Sequence, residues 1–114
     1  MLDEKELSYI PWIDSNKFRI KVSLGSTETY YNFHAEYNIR GDHWSVTVTT
    51  ESELTLIQNR KLVIGVDVFE NCYVTAKPDC LLIPLTDDDR ISVITKDNMT
   101  NGNVKLFHIL QSDL

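Results

Sequence analysis

Phe33-His34-Ala35-Glu36-Tyr37-Asn38-Ile39-Arg40-Gly41-Asp42-His43-Trp44-Ser45-Val46-Thr47-Val48 is the stretch whose reading decides the fold. Two alternating runs flank a short polar turn, which is the pattern of a β-hairpin. Side chains along a strand point alternately to opposite sides. Tyr31, Phe33, Ala35 and Tyr37 therefore share one face of the first arm, with Asn32, His34 and Glu36 on the other. On the second arm Trp44, Val46 and Val48 face inward against Ser45, Thr47 and Thr49. Asn38 to Asp42 supplies residues that tolerate positive φ or bond their own backbone, as a chain reversal requires.

The same period of two extends outward in both directions. Phe18, Ile20, Val22 and Leu24 form one face of a strand, and Gly25-Ser26-Thr27 ends it; the first arm of the hairpin then starts near Glu28. After the second arm, Thr49 to Glu53 is polar and turn-like, Leu54 to Ile57 is apolar, and Asn59-Arg60-Lys61 reads as an interruption. Leu62, Ile64, Val66 and Val68 alternate as in a further strand, with Gly65 marking a bulge or a close backbone approach. Cys80 to Leu85 is an apolar run whose Pro84 suits an edge or a strand end, because proline donates no ladder bond. Asp87-Asp88-Asp89 reads as a solvated turn. Arg90 to Thr95 and Val104 to Leu110 read as strands, and Asn101-Gly102 between them is a strong type I′ hairpin signal. No apolar stripe of period 3.6 is sustained, so at most one short helical turn is expected, in Ser52 to Asn59 or Val68 to Tyr73. The expected class is all-β: a small antiparallel barrel or sandwich of six to eight short strands.

A chain of 114 residues suits one domain and one core, here a single β-domain over 1–114 with residues 1–8 as a flexible amino-terminal segment. With 42% hydrophobic and 25% charged residues the composition is that of a soluble globular protein. No stretch approaches the roughly 20 apolar residues of a membrane helix, so no direct membrane insertion is expected. The start, Met1-Leu2-Asp3-Glu4-Lys5-Glu6, is acidic where a secretory signal would be basic and then apolar, which points to the cytosol. The formal charge of −6 argues against specific nucleic-acid binding, since that affinity comes from neutralising phosphates with Lys and Arg. Cys72 and Cys80 fit neither a redox Cys-x-x-Cys nor a zinc knuckle and read as reduced thiols.

The motifs that carry chemistry elsewhere have bland explanations in this sequence. Arg40-Gly41-Asp42 is the tripeptide that integrins recognise, but turn chemistry accounts for it. Asp87-Asp88-Asp89 has the oxygen ligands of a cation site, yet a charged loop between strands is commonly just solvated. The segment from Asp97 fails as a calcium loop because His108 stands where the closing glutamate belongs. His34, His43 and His108 lie in no catalytic frame. With four glycines in all, no phosphate-cradling loop can be built. Asn98-Met99-Thr100 matches a glycosylation acceptor, a frequent chance pattern. The aromatics Trp12, Tyr30, Tyr31, Phe33, Tyr37, Trp44, Phe69, Tyr73 and Phe107 are expected mainly in the core rather than in a sugar- or base-stacking groove. Catalytic, cofactor and metal residues are accordingly none, and the chain reads as a non-enzyme.

The order of landmarks adds a family. Tyr9-Ile10-Pro11, the strand Phe18 to Leu24, Tyr37-Asn38-Ile39-Arg40 with Trp44, Leu62-x-x-Gly65-x-Asp67, Pro78, Leu81-Leu82-Ile83 and Val104-Lys105-Leu106 together resemble the cyanophage-type baseplate plug domain of tailed bacteriophages. The similarity runs from about Tyr9 to Leu110. It implies a structural component of the virion tail baseplate, assembled in the host cytoplasm, that plugs or lines the channel at the hub until DNA ejection. It further implies hub, tail tube and tape measure as partners, and a homo-oligomer or ring within the tail. The turn at Asn38, Arg40 and Asp42 and the segment with Leu62, Ile64, Val66 and Phe69 are the expected interface. Glu51, Glu53, Asp87, Asp88 and Asp89 are the expected channel-facing acidic residues. The alternative class is a small protein- or carbohydrate-binding β-barrel without catalytic activity.

Overall fold

Residues 8–25, 29–70 and 72–110 are described by a computed structural model of the chain. Alternation of apolar and polar side chains lays down four strands that follow one another as a meander: β2 (Lys17–Leu24), β3 (Thr29–Asn38), β4 (His43–Thr50) and β5 (Thr55–Lys61). They pair antiparallel in sequence order. The second sheet has the order β1-β7-β6, from β1 (Ser8–Tyr9), β7 (Lys105–Leu110) and β6 (Cys80–Leu85), and is also antiparallel. The described residues are thus mostly β, as two sheets sharing one core, with one short helix among them, α1 (Lys96–Thr100).

The hairpin forms with the expected faces, and the strands set its register. Phe33 lies opposite Val48, Ala35 opposite Val46 and Tyr37 opposite Trp44. This brings Phe33, Ala35, Trp44, Val46 and Val48 to the core face, each at most 1% exposed. Trp44 is the hub of an aromatic cluster: Trp12 meets it edge to face at 5.0 Å, and Phe18, Phe33 and Tyr37 surround the pair. The smaller sheet closes the core with Cys80, Leu82 and Leu106, all fully buried. A backbone-to-side-chain hydrogen bond joins the sheets where Gly25 N–H donates to Nε2 of His108 at 3.1 Å.

Several sequence expectations are corrected. Asn59-Arg60-Lys61 does not interrupt the apolar run; it completes β5, where a register shift against Val46 to Val48 and a positive φ at Asn59 absorb the irregularity. Leu62 to Val68 is no strand. Gly65, at φ +81, turns the chain beside β6, and the backbone touches that strand at two points, Gly65 N–H to Pro84 O and Val68 N–H to Leu82 O. Space is open around the Gly65 Cα, so a turn and not a close approach explains the glycine. Arg90 to Thr95 is irregular, and the helix lies at neither expected place. Thr95 caps it, with its hydroxyl accepting Asn98 N–H while Asn98 Oδ1 accepts Thr95 N–H, a reciprocal box. Asn101 is the closing residue of that helix and Gly102, at φ +84, leads out of it, so this dipeptide stops a helix instead of turning a hairpin. Ser26 and Thr27, and residues 1–7 of the expected flexible segment, lie outside the described residues, while Ser8 pairs with His108.

The edges of the sheets are defended. β2 carries Lys17, Arg19 and Lys21, β5 is bulged, the free side of β6 receives the two backbone bonds from Gly65 and Val68, and β1 is two residues long.

Candidate assembly surfaces

The hairpin tip is a built turn. Asn38 Oδ1 accepts Gly41 N–H at 3.0 Å, and Tyr37 O–H donates to Asp42 Oδ1 in a short bond that pulls the tyrosine's ionisation upward. Asp42 takes φ +49, which an aspartate tolerates in a turn. Ile39 at the apex is 75% exposed, and Arg40 beside it also faces solvent. Asn38 and Asp42 therefore shape the tip, while Ile39 and Arg40 are the side chains it displays.

The expected apolar interface is revised by burial. Leu62 is 2% exposed and Phe69 fully buried, so both belong to the core; Ile64 packs partly against it. Leu62 is drawn inward because its N–H continues the pairing by donating to Trp44 O at 2.9 Å. Val63 and Val66 are the apolar side chains of this segment that reach solvent. The structure nonetheless brings tip and segment together: Gly41, Asp42, Val63, Ile64, Val93 and Ile94 help line a shallow groove of about 300 Å³.

The five acidic candidates do not act alike. Glu53 pairs with Arg19 at 3.4 Å and Glu51 with Lys21 at 3.3 Å, both pairs reaching from β2 across β3 to the β4–β5 turn. Beneath them Asn32 is buried on the polar face, its amide donating to Thr50 O. On the same face burial, with Arg19 next, pushes the His34 imidazole below its ordinary range. Asp88 chelates Arg90 at 3.0 Å and is held below the usual carboxylate range by it. Asp87 and Asp89 are exposed, with no ion pair among the described residues.

Among the described residues no three His, Cys, Asp or Glu side chains converge as a metal ion would need, and no helix is long and apolar enough to cross a membrane. Cys72 and Cys80 are free, buried thiols. Burial pushes the Cys80 thiol up to about 12. Asn98 is buried and spent on the helix cap and on Val93 O.

Sequence reasoning missed the smaller sheet's outer face. Leu82, Pro84 and Leu106 point inward, so Leu81, Ile83, Leu85, Lys105 and Phe107 point outward, joined by Tyr9, whose ring meets Phe107 edge to face at 6.0 Å. The signal was present in Cys80 to Leu85, where no polar residue alternates with the apolar ones.

The landmarks of the resemblance have structural roles on these surfaces and in the core: Tyr37 and Asn38 hold the tip, Trp44 centres the aromatic cluster, Gly65 turns the chain and Asp67 anchors β6. No curated protein matches the chain. A family model, described as cyanophage baseplate Pam3 plug gp18, matches residues 7–111. The chain belongs to that baseplate plug family.

Proposed function

We propose that this chain is a structural part of a phage tail baseplate that plugs or lines the central channel at the hub and yields when the genome is ejected. The observation that carries the reading is the family match over residues 7–111. The fold agrees with such a part: two sheets on one aromatic core, with strand edges blunted against uncontrolled pairing. The chain works without catalysis, through its surface. It contacts hub, tail tube or tape measure proteins, and sits there as a homo-oligomer or ring assembled in the host cytoplasm. A net charge of −6 keeps the wall from retaining passing DNA phosphates.

The groove that joins the hairpin tip to Val63 is the contact we assign to the hub. Arg40→Ala combined with Val63→Asp should lower the amount of this chain per purified tail several-fold while leaving the unfolding midpoint unchanged. Wild-type incorporation of the double variant would remove the groove from the interface.

A further inference from the structure

The two sheets present opposite chemistry to the outside. The four-stranded sheet turns out Arg19, Lys21, His34, Glu36, Ser45 and Thr47, a face made for water. The three-stranded sheet turns out Tyr9, Leu81, Ile83, Leu85 and Phe107, with Lys105 the one charge on those strands, its ammonium 4.6 Å from the centre of the Tyr9 ring. Tyr9 is 50% exposed, and Leu81, Ile83, Leu85 and Phe107 are half-buried. Strands apolar on both faces are built to be covered on both. Since the strand edges are blunted, a face and not an edge is what this molecule offers a neighbour.

We infer that the outer face of the β1-β7-β6 sheet docks a different tail polypeptide, one presenting an aliphatic or aromatic ridge flanked by lysine or arginine; this rests on the baseplate reading. Charge selects that occupant. Leu85, Lys105 and Phe107 line a groove of about 300 Å³ whose rim carries Asp87, and Asp89 follows two residues on; both are exposed carboxylates without an ion pair among the described residues. Lys105 keeps its positive charge beside the Tyr9 ring and offsets one of these two carboxylates, which leaves the rim a net charge of one negative. At this face a second copy docked in the same way would set Asp87 and Asp89 against their own counterparts, whereas a basic flank complements them; the contacts of a ring lie on other faces.

The test places a photoreactive benzoylphenylalanine at Leu85 or, as control, at Thr47 on the polar face, in phage whose purified tails are irradiated and analysed by mass spectrometry. The inference expects the Leu85 position to crosslink to another tail protein at a site next to Lys or Arg, with at least tenfold less product from Thr47. Asp87→Lys with Asp89→Lys should cut that crosslink at least fivefold without changing the circular dichroism of the isolated chain. Crosslinks to a second copy, to residues 1–7 or 111–114 of the same chain, equal yields from both positions, or no crosslink in tails that contain the chain would overturn this inference alone. Tails without the chain would overturn the baseplate reading together with it.

Discussion

Asp67 and Leu82 are tied by a hydrogen bond in which the Leu82 N–H donates to Asp67 Oδ1 at 2.9 Å, and the same oxygen accepts Phe69 N–H at 3.1 Å. One carboxylate thus satisfies two backbone donors and fastens the irregular Leu62–Phe69 segment to the edge of β6. Leaving a part-buried donor without its acceptor costs about 1–3 kcal/mol. Asp67→Ala should lose that much in urea unfolding. Asp67→Asn, which keeps an acceptor oxygen, should recover more than half of it.

Gly25 and Gly65 make a matched pair. Both have φ near +80°, but a Cβ on Gly25 would lie 2.5 Å from Asp79 Oδ1, whereas nothing lies within 4 Å of one on Gly65. Gly65→Ala should cost only the left-handed penalty of about 1–2 kcal/mol. Gly25→Ala should cost more, because Asp79 has to move and the Gly25 bond to His108 is disturbed. Equal losses in parallel unfolding curves would contradict the close approach at Gly25.

Cys80 gives the alkaline behaviour a sign. Its thiol is raised from 9.0 to about 12, mainly by burial, with Asp67 and Asp79 adding to it. Between these values the unfolded chain sheds a proton that the folded chain keeps. The stabilisation is full below pH 9 and is lost as pH rises through about 12, with a slope approaching 1.4 kcal/mol per pH unit. Tyr31, raised by its own burial and by Cys80 and Asp79, acts in the same direction. Stability measured by denaturant from pH 8 to 11 should fall, and a Cys80→Ala variant should fall less steeply.

Trp44 holds the aromatic cluster and is fully buried. Replacing such a ring by alanine costs about 3–5 kcal/mol, against a total of about 5–15 kcal/mol for an ordinary domain. Trp44→Ala should show a midpoint far below wild type or no cooperative unfolding, read by near-ultraviolet circular dichroism. Trp44→Phe should remain folded.

The sequence was most legible where local pattern and tertiary packing agree. Tyr31 to Val48 alternates, turns at residues suited to turning and buries one face, so the hairpin and its inward face are legible without coordinates. Asn101-Gly102 reads as a hairpin turn because positive φ at glycine serves a helix end as well as a hairpin; the deciding context is Thr95 with Asn98 three residues later, a capping pattern using Asn where Glu or Gln is usual. Leu62 to Val68 alternates like a strand, but Gly65 breaks the line and Asp67 takes up the donor of Leu82. Leu62 and Phe69 looked available to a partner because apolar character alone does not tell core from interface. The pairing of Glu51 and Glu53 with β2 was invisible, since those contacts span 30 and 34 residues.

Electron cryomicroscopy of the intact tail tests the central claim most directly. Density for this two-sheet fold should appear at the tail tip, in or around the closed channel of the baseplate hub, and should be displaced or rearranged after genome release. Tails that infect normally with this chain absent from the tip would contradict it.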